Sequence, residues 1–93
     1  MYYVYALVSL KYKNKIYIGM TKNIALRIKG HNLGSTKTTK AYRPWILFYS
    51  ESVKDRLEAR FREKKLKSGS GREFLKRILQ NVPVAQLDRA VAF

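Results

Sequence analysis

The chain has 93 residues, 46% hydrophobic and 13% aromatic, which is enough for one small domain with a modest core. Twenty lysines and arginines against six acidic residues give a net charge of +14, which indicates a polyanionic partner such as nucleic acid. The absence of cysteine excludes disulfides and thiolate metal sites, and the apolar runs are too short to span a bilayer. We therefore expect a cytoplasmic protein with no membrane partner.

The first half of the chain predicts a hairpin followed by a helix. Residues 2–10 are aromatic and β-branched, which favours a strand, and residues 16–19 resume as a second strand that ends at its glycine. Either Thr21 or Asn23 can cap a helix that runs to Asn32, and Gly34 follows its predicted end. Residues 34–40 are small and polar, so we expect a loop there.

The second half predicts a strand and two helices, at residues 44–49, 53–67 and 72–79. The packing face of the longer helix is predicted from Val53, Leu57 and Phe61, which recur every four residues. The Ser-Gly-Ser-Gly run at residues 68–71 ends that helix. The predicted fold is α/β (α+β), with a small three-stranded, mainly antiparallel sheet flanked by helices in the order β-β-α-β-α-α.

Two tyrosines stand in short motifs near the start of the chain. Tyr5 ends the segment Tyr-Val-Tyr, and Tyr17 begins the segment Tyr-Ile-Gly. Arg27 follows ten residues after Tyr17, His31 comes four residues later, and Glu63 lies in the basic second half. This order resembles the GIY-YIG nuclease family, in particular its small stand-alone bacterial members and the N-terminal nuclease domain of the nucleotide excision repair endonuclease.

The resemblance covers nearly the whole chain and implies its domain organisation. Residues 1–79 form the nuclease-like domain. Residues 80–93 carry only one arginine and one aspartate and have no counterpart in the family pattern, so we expect a flexible tail.

Hydrolysis of a phosphodiester needs a positioned water, a base and positive charge on the phosphoryl oxygens. The resemblance assigns the base to Tyr5 and Tyr17, whose phenols act in this way only if neighbouring cations or a metal lower their pKa. The alternative is that both rings are ordinary core aromatics. Gly19 either lets substrate approach closely or permits the turn into the helix.

Arg27 and His31 lie one turn apart, so their side chains leave the same face of the predicted helix. A guanidinium can bind two phosphate oxygens at once and stays charged, which makes Arg27 the predicted phosphate clamp. The resemblance places His31 beside the scissile phosphate, where a neutral imidazole serves as base or proton shuttle. A solvated helix face is the alternative for both.

Glu63 is the predicted metal ligand, because the resemblance places the catalytic glutamate before the basic residues that close the second long helix. The cofactor that this implies is Mg²⁺ or Mn²⁺, held by one carboxylate and completed by the phosphate of DNA. Glu58 is the second candidate, about 140° around the helix from Glu63. The structural alternative is an i,i+4 ion pair of Glu63 with Lys67 or of Glu58 with Arg62.

Further basic residues suit phosphate contacts that position a duplex without reading its sequence. Together with Gly19, the predicted nucleic-acid contacts are Lys22, Lys29, Lys37, Lys40, Arg43, Arg60 and Lys64. The chain departs from the family pattern at three positions. Tyr3 replaces the glycine of the first motif, Met20 replaces a lysine after the second, and Leu75 replaces an asparagine that repair-type relatives carry.

The resemblance, together with the basic charge, therefore implies a Mg²⁺-dependent, structure-selective DNA endonuclease that nicks branched or damaged DNA. One alternative is a catalytically silent nucleic-acid-binding module of the same fold. Another is a basic structural protein that binds ribosomal RNA, which the charge alone would allow. Neither a separate recognition domain nor a zinc motif is visible, which argues against cutting at a defined sequence.

Overall fold

The computed structural model describes residues 1–12 and 15–80. The strands are β1 (Tyr2–Ser9), β2 (Ile16–Thr21) and β3 (Trp45–Val53). The helices are α1 (Ile24–Leu33), α2 (Lys37–Lys40), α3 (Arg56–Lys67) and α4 (Gly69–Gln80). The predicted α+β fold with its three-stranded antiparallel sheet is confirmed.

Two predictions concern residues outside the described ranges. Residues 13 and 14 belong to the predicted polar connection, and residues 81–93 make up the predicted tail apart from Gln80, which ends α4. Among the helices of the described part, none is long and apolar enough to cross a membrane.

β1 is the central strand and pairs antiparallel with β2 on one side and β3 on the other. Tyr5 lies opposite Gly19 of β2 and Ser50 of β3. The sequence predicted that Gly19 ends the second strand, but β2 continues to Thr21. Gly19 is therefore a paired residue inside the sheet, directly across from Tyr5.

The two faces of the sheet build separate cores, because neighbouring residues of β1 point to opposite faces. On one face, α3 and α4 pack on the strands, and the buried residues are Val4, Ala6, Ile18, Val53, Ala59, Leu66 and Leu75. On the other face lies α1, and the core contains Tyr5, Leu7 and Trp45 with the half-buried Tyr17, Ile24, Ile28, Tyr42 and Leu47. The candidate tyrosines thus belong to the α1 side of the sheet.

α1 begins and ends as the sequence predicts. Asn23, one of the two candidate caps, accepts a hydrogen bond from the Leu26 N–H at 3.1 Å. Gly34 closes the helix in the left-handed conformation, with φ of 82°. These two caps fix the phase of α1 and hence the direction in which its polar side chains point.

α2 corrects the predicted loop at residues 34–40. The Thr36 carbonyl accepts hydrogen bonds from the N–H groups of Thr39 and Lys40, which closes one helical turn. The lysines and threonines of this segment show no apolar periodicity, so their pattern does not indicate a helix. Thr39 is nevertheless fully buried, and its tertiary contacts stabilise the turn.

The predicted packing face of α3 is wrong. Val53 belongs to β3, while Leu57 and Phe61 are 82% and 64% exposed. The helix begins after Asp55, whose carboxylate caps it by accepting from the Glu58 N–H at 2.9 Å. This start sets the buried stripe on Ala59 and Leu66 instead, seven residues apart.

α4 begins three residues earlier than predicted, inside the Ser-Gly-Ser-Gly run. Ser68 ends α3, and its carbonyl accepts from the Arg72 N–H at 2.9 Å to start the next helix. A Cβ atom on Gly71 would overlap the backbone of Lys65 and Leu66. The glycine therefore permits a close crossing of α3 and α4 rather than a flexible break.

Candidate active site

Three of the predicted catalytic side chains meet at one hydroxyl. Tyr5 projects from β1 toward α1, where Arg27 and His31 lie on the same face of the helix. Arg27 Nε donates to the Tyr5 hydroxyl at 3.4 Å, and His31 Nε2 lies 3.1 Å from the same oxygen. Arg27 and His31 follow Tyr5 by 22 and 26 positions in the sequence, so the packing of α1 on the sheet creates the cluster.

Tyr17 completes the cluster from β2. Its ring packs edge-on against the His31 imidazole, with 4.8 Å between the ring centroids, and lies 6.3 Å from the Tyr5 ring. The hydrogen bond from Arg27 to Tyr5 raises the pKa of Arg27, and nearby Tyr17 adds to this effect. The guanidinium of Arg27 thus binds Tyr5, is affected by Tyr17 only through proximity, and stays positively charged.

Gly19 makes room for Tyr5. A Cβ atom at this position would lie 2.7 Å from the Tyr5 hydroxyl oxygen and 3.0 Å from a ring carbon of Tyr17. Carbon atoms in contact normally stay about 3.5 Å apart or more. The structural reason for glycine here is therefore the packing of the two tyrosine rings, a reason that neither sequence interpretation contained.

The cluster has a buried layer and an exposed layer. Tyr5 and His31 are 0% and 1% exposed, whereas Arg27 lies at the surface and Tyr17 is half-buried. His31 is therefore as buried as Tyr5 and does not reach the surface of the free protein. Direct contact with a ligand is open to Arg27 and Tyr17.

Burial also determines the charge states. It raises the pKa of Tyr5, although the hydrogen bond from Arg27 acts in the opposite direction. Arg27 lowers the pKa of Tyr5 as expected of a neighbouring cation, but burial outweighs it and the net shift in the free protein is upward. Burial lowers the pKa of His31, and the positive charge of Arg27 lowers it further. At neutral pH the cluster holds a neutral phenol, a neutral imidazole and a guanidinium cation.

The buried layer has partners that the sequence analysis missed. His31 Nδ1 lies 2.8 Å from the Thr39 hydroxyl, and Trp45 Nε1 donates to the Thr39 carbonyl at 2.8 Å. Asn32, next to His31, holds the Trp45 backbone, since its Oδ1 accepts from Trp45 N at 2.6 Å and its Nδ2 donates to Trp45 O at 3.1 Å. All side-chain polar atoms buried in the described residues have a partner.

Glu63 lies in α3, which packs on the other face of the sheet from Tyr5. Its side chain is 14% exposed, and its carboxylate contributes to the raised pKa of Tyr5 after burial and other, larger effects. Lys67 Nζ lies 3.8 Å from this carboxylate, so the predicted i,i+4 ion pair exists. Glu58, the second candidate, is exposed in the first turn of α3.

Residues 1–12 and 15–80 contain no group of three or more histidine, cysteine or acidic side chains that could hold a metal. Glu63 is the one carboxylate that acts on the pKa of Tyr5. Mg²⁺ keeps several waters and binds proteins through one or two carboxylates plus substrate phosphates, so a single partly exposed carboxylate fits this ion but not a tightly bound metal. Lys67 competes with any cation for the same oxygens.

The predicted phosphate contacts fall into separate groups. No acidic residue precedes Glu51 in the sequence. Beside α2, a surface cavity of about 450 Å³ is lined by Lys11, Lys37, Lys40, Ala41 and Arg43. Lys22 lies over the Tyr2 ring, Lys29 lines an apolar groove beside β3, and Arg60 and Lys64 are exposed on α3. The structure brings together three of these residues, Lys37, Lys40 and Arg43.

Known proteins resemble this chain over most of its length. The model of the GIY-YIG catalytic domain matches residues 1–77. The chain is 41% identical over 66 residues to UPF0213 protein SH2523 of Staphylococcus haemolyticus, a match that covers 70% of this chain and 80% of that protein. It is 43% identical over 54 residues to UPF0213 protein DP2720 of Desulfotalea psychrophila, covering 56% and 49%. No solved structure gives a significant match. The resemblance found in the sequence is confirmed.

Proposed function

The chain belongs to the GIY-YIG family, a family of nucleases that act on DNA, and we propose that it is a Mg²⁺-dependent, structure-selective endonuclease. It would hydrolyse one phosphodiester bond of branched or damaged DNA and leave a nick. The observation that carries this proposal is the hydroxyl of Tyr5, which contacts both Arg27 and His31. The Tyr5 hydroxyl thereby contacts both a cation that can bind the phosphate, Arg27, and a neutral base, His31.

The exposed layer of the cluster binds and orients the reacting groups. Arg27 pairs with the phosphoryl oxygens, because its guanidinium lies at the surface and remains charged. Tyr17 positions the attacking water, since its ring is the half-buried one of the two tyrosines. When Arg27 turns toward the phosphate, the hydroxyl of Tyr5 becomes accessible to that water.

The buried layer accepts the proton. Tyr5 passes its own proton to His31 Nε2 while it takes one from the water, so the phenol never has to ionise. The lowered pKa of His31 keeps the imidazole neutral and ready for this step at neutral pH. The water oxygen then bonds to phosphorus, the bond from phosphorus to the leaving deoxyribose oxygen breaks, and that oxygen takes a proton from solvent.

Glu63 would hold Mg²⁺ or Mn²⁺ at the edge of the cluster. Such an ion, when bound, supplies positive charge that stabilises the phosphoryl oxygens and the leaving group. Positioning of the DNA falls to exposed basic residues, above all those around the cavity beside α2. The positive first fifty residues support DNA as the partner, because no carboxylate there competes with phosphate.

Cleavage assays with a matched pair of variants test this proposal. Flapped, branched, nicked and supercoiled DNA are incubated with the protein in Mg²⁺, Mn²⁺ or EDTA, beside Glu63→Gln and Glu58→Gln. We expect metal-dependent nicking that Glu63→Gln slows by about a hundredfold or more and Glu58→Gln leaves near wild type.

The outcomes separate the candidate functions. Equal cutting by Glu63→Gln and wild type would show that Glu63 is not the metal ligand. Binding that weakens steeply with salt, without cutting of any substrate in either metal, would identify a silent nucleic-acid-binding module. The ion pair of Glu63 with Lys67 is the observation that favours this second function, because it occupies the carboxylate in the free protein.

A further inference from the structure

Thr39 is a buried residue at the centre of the candidate site to which neither the motif pattern nor the proposed function gives a role. It lies in α2 between exposed neighbours, yet only 1% of its surface is accessible. Its hydroxyl lies 2.8 Å from His31 Nδ1, and 3.3 Å from the Thr36 carbonyl oxygen, to which it donates. His31 therefore contacts Tyr5 through one ring nitrogen and Thr39 through the other.

The direction of these hydrogen bonds follows from the protons available. The Tyr5 hydroxyl carries one proton, and Arg27 Nε can only donate to it. The phenolic proton therefore goes to His31 Nε2, which must be unprotonated to accept it. A neutral imidazole with a bare Nε2 carries its proton on Nδ1 and donates it to Thr39, which donates in turn to a backbone carbonyl. Every donor in this series of hydrogen bonds, from Arg27 to the Thr36 carbonyl, then has an acceptor.

The opposite direction leaves a buried donor without a partner. If Thr39 donated to Nδ1, the proton of His31 would sit on Nε2 and point at the Tyr5 oxygen. That oxygen would then accept from both His31 and Arg27, and its own proton would have no acceptor among the described residues. For a tyrosine that is fully buried, an unsatisfied hydroxyl destabilises the fold by about 1–3 kcal/mol.

We propose that Thr39 is a positioning residue whose hydroxyl accepts a hydrogen bond from Nδ1 and acts together with Tyr5 and Arg27 to hold His31 in the Nδ1–H tautomer, which leaves Nε2 free to receive the proton of Tyr5. The tautomer is a property of the free protein, whereas its value for cleavage rests on the proposed function. The backbone of Thr39 is held separately, through the hydrogen bond from Trp45 Nε1 to its carbonyl. Replacement of the hydroxyl alone therefore leaves the anchor of α2 in place.

The chain offers a direct measurement, because His31 is its only histidine. Long-range ¹⁵N–¹H NMR spectra of the free protein above neutral pH distinguish the two tautomers of one imidazole. We expect the Nδ1–H form in wild type and in Thr39→Ser, and a mixture or the Nε2–H form in Thr39→Val. Thr38→Val is the matched control, since Thr38 is the exposed neighbour in the same turn.

The Nε2–H form in wild type would overturn the proposal, as would an unchanged tautomer in a folded Thr39→Val. Backbone amide spectra report whether that variant keeps its fold, and the serine variant decides the question if it does not. An Nε2–H tautomer in folded Thr39→Ser, which retains the hydroxyl, would also refute the assignment.

Cleavage provides the second readout. Under single-turnover conditions we expect Thr39→Val to cut at least about tenfold more slowly, with unchanged affinity for DNA, and Thr39→Ser to restore the rate. Equal loss in the serine and valine variants would contradict a role of the hydroxyl. If wild type does not cut DNA at all, the proposed function fails, and the NMR result still decides the tautomer.

Discussion

Gly19→Ala should damage the protein from inside the sheet rather than at a substrate surface. The new Cβ would lie 2.7 Å from the Tyr5 hydroxyl oxygen and 2.9 Å from the ring carbon that carries it. To reach an ordinary contact, the ring must retreat by about 0.5–1 Å. Because the same oxygen lies 3.1 Å from His31 Nε2, a shift of that size would weaken or break this hydrogen bond.

The magnitude follows from two effects. Overpacking of a full core destabilises by about 1–3 kcal/mol, and loss of one hydrogen bond adds about 1 kcal/mol. For a domain of this size, we expect the melting temperature to fall by roughly 10–25 °C. Urea denaturation and thermal unfolding measure the change. Gly69→Ala is the matched control, since nothing lies within 4 Å of its Cβ position.

A double variant separates steric overlap from substrate approach. Tyr5→Phe removes the oxygen that the new Cβ meets first, so Gly19→Ala should destabilise less in that background than in wild type. If Gly19→Ala is as stable as wild type and only weakens DNA binding, the glycine serves substrate approach and the packing argument is refuted.

Four further predictions follow from charge and packing. Burial lowers the pKa of His31, so the unfolded chain binds its proton more tightly; the free energy of unfolding should fall as pH drops below about 6.5 and level off below the folded pKa, a dependence that His31→Gln removes in urea titrations. Lys67→Gln should lower the Mg²⁺ concentration for half-maximal cleavage by about two- to fivefold, because it removes the cation 3.8 Å from Glu63; an unchanged Mg²⁺ titration would contradict this. Gly71→Ala should unfold the domain, as judged by circular dichroism, because its Cβ would overlap the backbone of α3. Replacing three cavity residues with glutamine should reduce the slope of log binding constant against log salt concentration by about 2–3 for DNA binding. Replacing three exposed residues elsewhere should reduce it less. The two sets are Lys37, Lys40, Arg43 and Lys54, Lys76, Arg77.

The order of strands and helices could be predicted because each element carries its own local pattern. β1 is a continuous aromatic and β-branched run, and α1 has a cap residue at one end and Gly34 at the other. The face of α3 could not be predicted from the period of four, because charged residues dominate that helix and its buried stripe begins with a small alanine. Asp55 with Glu58 three residues later is a capping signal that would have placed the start correctly.

Part of the candidate site could also be predicted from the sequence, and part could not. Arg27 and His31 could be paired from the sequence because one helical turn separates them, and strand pairing brings the two tyrosines alongside. The role of Thr39 could not be predicted, because Thr39 lies in α2, a segment whose conformation depends on tertiary packing. The burial of Tyr5 and His31 could not be predicted either, since the same residue types occur in solvent-exposed and in buried sites.

The division into two layers affects how the chemistry can be tested. Tyr5 and His31 are fully buried, so substitutions there change the free energy of unfolding together with the rate. Glu63 belongs to an ion pair that contributes little to stability, so its substitution leaves the core intact, whereas Arg27 is exposed but donates to the buried Tyr5 hydroxyl. Loss of cleavage in a fully folded Glu63→Gln would therefore report on chemistry alone. The buried pair needs the tautomer of His31 as an additional readout, because its effects on folding and on proton transfer arise from the same hydrogen bonds.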